Sequence, residues 1–143
     1  MATAVIDEAA LAAIRGRFEG DVLEAGDPGY DDARKLFNAM IDRKPRLIVH
    51  AAGPQDVAAA VLLARETGLP FAIKGGGHGV NGHAACDDGI MLDLLPMKKI
   101  TVDPNARTVA SELTAPMKAR TAAVTTRAAR AGDDGAFPES RPE

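Results

Sequence analysis

The sequence predicts an α+β fold: a βαβ unit followed by further short strands, with an atypical Ala/Arg-rich C-terminal tail. Two aliphatic runs, Leu47-Ile48-Val49 and Phe71-Ala72-Ile73, have the compact composition of buried strands. Between them lies a stretch with apolar residues at i, i+3, i+4 and i+7, the spacing of one helix face. Strands joined through such a helix are normally parallel, with a right-handed crossover. A third run, Gly89-Ile90-Met91-Leu92-Asp93-Leu94, reads as another strand.

In chain order, Leu11, Ile14 and Phe18 recur at helical spacing and predict a short N-terminal helix with one apolar side. Asp27-Pro28-Gly29 marks a turn. Leu36, Met40 and Ile41 give a second, weaker helical pattern that ends near Pro45. The central helix is the clearest. Pro54 suits a first helical position, Asp56 sits near the positive end, and Gly68 is a natural stop. Its predicted apolar stripe is Val57, Ala60, Val61 and Ala64. Ile100-Thr101-Val102 and Arg107-Thr108-Val109-Ala110 read as a hairpin joined through Asp103-Pro104-Asn105-Ala106, which has turn chemistry.

These signals divide the chain into a helical lead-in (1–44), a ligand-binding core (45–110) and a tail (111–143). Residues 114–132 read TAPMKARTAAVTTRAARAG, with no large apolar side chain beyond Met117 and Val124. Residues 133–143 add prolines and charges and are expected to be disordered.

Composition narrows the function. With 17 Lys and Arg against 20 Asp and Glu, the net charge of −3 gives no basic field for nucleic acid or an anionic membrane. No Trp and one Tyr leave little for base stacking. No run approaches the ~20 apolar residues of a membrane span. The first residues lack a basic segment and a long apolar core, so no signal peptide is expected. The single cysteine, Cys86, precludes an internal disulfide and suits a reducing compartment, so a cytoplasmic location is expected.

The motif that carries chemistry is Lys74-Gly75-Gly76-Gly77-His78, directly after the Phe71-Ala72-Ile73 strand. Glycines let backbone N–H groups converge where side chains would obstruct, so a triplet can cradle a phosphate. Lys74 adds a positive charge at one end and His78 a nucleophilic ring at the other. The position, just past a strand's carboxyl end, is where open α/β sheets bind ligands. It is no P-loop of the Walker kind, because the glycines do not precede Gly-Lys-Ser/Thr at the required distance.

With these residues placed, the chain resembles the N-terminal part of the FAD-linked oxidases that share the vanillyl-alcohol-oxidase-type (PCMH-type) FAD-binding domain. The resemblance is strongest to the berberine-bridge-enzyme-like and 6-hydroxynicotine-oxidase-like branch. It runs from about Gly20 to Ala110. It includes Tyr30-Asp31-Asp32-Ala33-Arg34 with Asn38, Arg46-Leu47-Ile48-Val49 leading to Asp56-Val57, and Gly68-Leu69-Pro70. It continues through Lys74 to His78, Asn81-Gly82, the Asp88-to-Leu94 strand and the hairpin. A bare GGGH is a weak signal; the ordered series around it is specific.

The resemblance implies FAD as cofactor and a flavin-dependent oxidoreductase, with this chain as the first lobe of the FAD-binding domain. Lys74, Gly75, Gly76, Gly77, His78, Gly79, Asn81 and Gly82 would form the cofactor-binding loop carrying the FAD pyrophosphate. His78 corresponds to the histidine bonded to the flavin 8α carbon, a role a neutral imidazole nitrogen can fill as nucleophile. The substrate would be a small molecule, with alcohols, sugars, N-heterocycles and alkaloid-like amines all compatible. Tyr30, Arg34, Asn38 and Asp93 are expected to be structural. Beyond Ala110 the family's Gly-rich turn and next helix are not recognisable, so a truncated or frameshifted relative is expected, poorly active alone. No catalytic residue is assigned, and Cys86 does not correspond to the second flavin-linking cysteine of bicovalent relatives.

Other readings remain open at this stage. A non-catalytic α/β fragment or binding module without flavin would use the same strands. A small metal-binding domain would draw on His78 and His83 with Asp87 and Asp88. The H-x4-H spacing in a glycine-rich loop lacks the rigidity of a helical pair, so no metal ligands are assigned.

Overall fold

The structure, a computed structural model, describes residues 8–103, 105–106 and 108–112. Most of the tail expected to be disordered or out of frame lies outside them. The chain falls into two compact units divided between Met97 and Lys98.

The first unit carries helix α1 (Glu8–Arg15), strand β1 (Val22–Glu24), the short helix α2 (Tyr30–Ala33), strand β2 (Leu47–His50), helix α3 (Pro54–Thr67), strand β3 (Phe71–Lys74) and strand β4 (Ile90–Asp93). Its sheet has the order β1-β2-β4-β3. β2, β4 and β3 are parallel, and β1 adds an antiparallel edge on β2. The βαβ unit is therefore present, with β4 inserted between its two strands. β4 is flanked on both sides and covered on both faces, which is why all four of its residues are buried.

The two faces of the sheet pack differently. Leu47, Val49, Ile90 and Leu92 face Leu11 and Ile14 of α1 and Ala60 and Leu63 of α3. Ile48 and Met91 alternate to the other side, with Tyr30 and Ala85. The short α2 reaches that second face through Tyr30 and Ala33. The connection from β3 to β4 crosses it as the irregular segment 75–89, where parallel strands usually use a helix. Connections of that length without secondary structure are usually functional.

α3 starts and stops as expected, with Pro54 in its first turn and Gly68 in the left-handed region at φ 66°, donating to Ala64 O at 2.9 Å. The buried stripe is rotated from the expected one: Leu63 is buried and Val61 is exposed, because the face is chosen by the sheet beneath. The helix expected over Leu36, Met40 and Ile41 does not form. Its backbone is irregular, with Met40 exposed and the Phe37 N–H donating to Gly77 O at 3.0 Å. Donors bound to a distant loop are lost to a helix.

Asp56 does more than complement a helix terminus. Its buried carboxylate accepts from the N–H groups of Glu19, Gly20 and Ala52 at 2.9, 3.0 and 2.8 Å. It thereby fixes the chain entering β1 against the turn leaving β2. At the carboxyl end of the sheet, His50, Asp93 and Lys74 occupy matching register positions on β2, β4 and β3. The buried Lys74 ammonium lies 3.4 Å from Asp93 Oδ2 and also donates to Ala33 O. Asp93 Oδ1 accepts from Leu95 N at 2.9 Å, so Asp93 has the structural role expected of it.

In the second unit, strands β5 (Ile100–Asp103) and β6 (Thr108–Ser111) form an antiparallel hairpin. Its turn is held by Asp103, whose Oδ1 accepts from the N–H groups of Asn105 and Ala106, both at 2.9 Å.

Two outcomes test these contacts by urea denaturation of the 143-residue protein. Asp56→Ala is expected to lower stability by about 3 kcal/mol, since hydrogen bonds to a charged acceptor are worth ~1.5–3 kcal/mol each and are not additive. Lys74→Met is expected to cost about 3–5 kcal/mol by leaving Asp93 buried and unpaired, and the further change Asp93→Asn to recover more than half of it. Equal stability of the single and double variants would show that Lys74 does not serve Asp93.

Candidate functional site

The glycine loop leaves β3 at Gly75, and its shape is set by a neighbouring segment, residues 36–46. The carbonyl of Gly77 accepts the Phe37 N–H at 3.0 Å. Asn38 Nδ2 donates to Val80 O at 2.9 Å, while Asn38 Oδ1 accepts from Met40 N at 3.1 Å. Further along, Asp87 accepts from Arg43 Nη1 at 2.5 Å and from Lys44 N at 2.8 Å. The Asp88 N–H donates to Lys44 O at 3.0 Å, and Gly89 O accepts from Arg46 N and Leu47 N. The loop is thus stitched along its length to the segment that leads into β2.

Within this frame the glycines have distinct tasks. Gly77 is buried at φ 69° and Gly82 at φ 74°, both in the left-handed region that favours glycine. A Cβ on Gly82 would also lie 2.8 Å from Ile41 Cγ2. Gly76 is different: a Cβ there would lie 2.5 Å from His78 Cδ2 and 2.8 Å from Nε2. The exposed His78 ring therefore folds back over Gly76. The Phe37 ring stands 5.9 Å from it, centroid to centroid, tilted by 55°.

Among the described residues, the amides of Gly76, His78 and Gly79 donate to no group of the chain. All three residues are exposed. Open amides beside a left-handed glycine suit an anion, and the loop fits a diphosphate on that ground. Asn81 and His83 are exposed on the rest of the loop, and Gly82 is buried. Lys74 is next to the loop in sequence, yet its ammonium is turned inward to Asp93 and Ala33. Its charge balances a buried carboxylate, and the loop's polarity comes from backbone dipoles.

Other groups near the loop are already engaged. The Arg43 guanidinium and the Lys44 amide hold the Asp87 carboxyl below the usual carboxylate range. Burial is the main cause pushing the Cys86 thiol up, and its Sγ lies 3.6 Å from Ile90 O. That is an inert environment for a thiol. Among the described residues, no three His, Cys, Asp or Glu side chains come together as a metal site. Of the two carboxylates considered with His78 and His83, Asp87 pairs with Arg43.

Two features were not singled out from sequence. Phe37 carries no motif; only its place before Asn38 marks it. His50 has a buried Nε2 with no hydrogen-bond partner among the described residues, at the same sheet edge as Lys74 and Asp93. Tyr30, Arg34 and Asn38 are structural, as expected. The Tyr30 hydroxyl donates to Pro45 O at 2.5 Å, and Arg34 pairs with Asp31 and Asp42.

Comparison with known proteins agrees with this geometry. An uncharacterized FAD-linked oxidoreductase of Bacillus subtilis is 35% identical over 91 residues, 64% of this chain and 20% of that protein. The (R)-6-hydroxynicotine oxidase of Paenarthrobacter nicotinovorans is 35% identical over 85 residues, 59% of this chain and 19% of that protein. The crystal structure of 6-hydroxy-D-nicotine oxidase from Arthrobacter nicotinovorans superposes with a TM-score of 0.68 at 28% identity, over 79% of this chain and 24% of that one. A xylooligosaccharide oxidase from Myceliophthora thermophila shares the fold, with a TM-score of 0.67 at 22% identity over 84% of this chain and 25% of its own. The chain spans about a fifth of the length of the curated relatives it matches. The model of the FAD binding domain family matches residues 45–133, more than half of the chain and past Ala110, and the chain belongs to that family.

Proposed function

We propose that this chain supplies the diphosphate-binding loop and the covalent flavin anchor of an FAD-dependent oxidoreductase. The observation that carries the reading is the set of open amides at Gly76, His78 and Gly79 beside an exposed imidazole. The amides of Gly76, His78 and Gly79 would face the FAD diphosphate, Gly75 and Gly77 would give the turn its shape, and Asn81 and Gly82 would form the far side of the loop. Lys74 holds the loop's base through Asp93.

FAD supplies the hydride-accepting chemistry when bound. His78 supplies the attachment. Attachment would replace one imidazole N–H and one 8α C–H by an N–C bond, the two hydrogens and their two electrons passing to dioxygen to give hydrogen peroxide. In this reading the substrate pocket and the proton-handling groups come from sequence of the kind the relatives carry outside the matched stretch. The 143-residue chain is then a poor catalyst by itself, and its small-molecule substrate is set elsewhere.

Amide chemical shifts provide the first test. Addition of FAD, or of inorganic pyrophosphate, is expected to move the resonances of Gly76, His78 and Gly79 more than those of the α3 amides. Acid precipitation after incubation with FAD and air is expected to leave flavin in the pellet for the wild-type chain and none for His78→Ala. Titration shifts confined to other residues would remove the loop from the reading. Flavin washed out of the wild-type pellet would remove the covalent anchor.

A further inference from the structure

The geometry points to Gly76 and Phe37 as a two-part seat that orients the His78 imidazole, a positioning role separate from phosphate binding. This rests on the reading of His78 as the flavin anchor. The ring lies where Gly76 has no Cβ, and a methyl there would meet Cδ2 at 2.5 Å. Near it stands the Phe37 ring, at 5.9 Å and 55°, within the range of tilted aromatic pairs. No positive φ forces glycine at position 76, in contrast to positions 77 and 82. A methyl there would instead displace the exposed imidazole from its present place.

Phe37 is held for this task through its backbone. Its N–H is fixed to Gly77 O at 3.0 Å, and the next residue, Asn38, is fixed to Val80 O at 2.9 Å. The ring itself is 73% exposed, so packing in the core does not account for its position. An exposed imidazole on a loop samples several rotamers. A nucleophile gains rate when it is held in one approach direction, because the ordering is done before the reaction. A seat of glycine below and an aromatic ring beside restricts that freedom without engaging either ring nitrogen as a donor or acceptor.

The seat separates attachment rate from affinity. Phe37→Leu keeps apolar bulk and removes the ring, and is expected to slow covalent flavin incorporation at saturating FAD roughly fivefold to tenfold. FAD affinity before attachment and the thermal midpoint should stay within error of wild type, and Phe37→Tyr should restore the wild-type rate. Gly76→Ala is expected to displace the imidazole and abolish its proton cross-peaks to the Phe37 ring, which the wild-type protein should show in nuclear Overhauser spectra. A Phe37→Leu rate equal to wild type, or absence of those cross-peaks in the wild-type protein, overturns the seat. Wild-type protein that shows the cross-peaks but attaches no flavin overturns the anchor reading instead, leaving the ring contact itself established.

Discussion

The structure depends on a loan of hydrogen bonds between two irregular segments. Residues 75–89 connect two parallel strands without a helix, so their backbone groups need partners from elsewhere. Residues 36–46 provide them through Phe37 N, the Asn38 side chain, Lys44 and Arg46. The same bonds keep residues 36–41 from becoming a helix. One segment gives up regular structure so that the other can hold an irregular shape over the open face of the sheet.

That constraint explains what could be read from the sequence. β2, α3, β3, β4 and the hairpin were all legible, since each carries a local signal: an aliphatic run, a proline and glycine bounding a helical stripe, an Asx-type turn. Features that depend on distant partners were not. Leu36, Met40 and Ile41 match helical spacing, and nothing local reports that the Phe37 amide and the Asn38 side chain between them bond to a loop forty residues later. The insertion of β4 between β2 and β3 is a property of the sheet, as is the exchange of Val61 for Leu63 on the buried side of α3. The strand Val22–Glu24 is too short to show a period.

The candidate site divides the same way. The motif from Lys74 to Gly79 lies just past the end of β3, the place in open α/β sheets where ligands usually bind, and that much is readable locally. The role of Lys74 was less accessible. A lysine at a strand end is commonly solvated, and only the register that sets it beside Asp93 shows it buried in an ion pair. An isolated buried carboxylate would carry a large desolvation cost, so the pair is a condition for the sheet edge to exist in this form. With that ammonium turned inward, the proposed anion site would rest on peptide dipoles, held by the frame behind them.

The glycines of one loop can thus answer to several physical requirements at once. Gly77 satisfies a backbone angle, and Gly82 satisfies both an angle and the proximity of Ile41. Gly76 satisfies the nearness of an imidazole two residues on. Only the open amides speak directly to phosphate, and they belong to His78 and Gly79 as much as to the triplet. In the proposed reading the loop joins two functions in one short stretch: the backbone would face an anion while a side chain is held beside it. Such coupling demands rigidity at the loop's base and freedom from side chains at its crest. The buried Lys74–Asp93 pair below and the unsubstituted Gly76 above meet those two demands at opposite ends of the same strand exit.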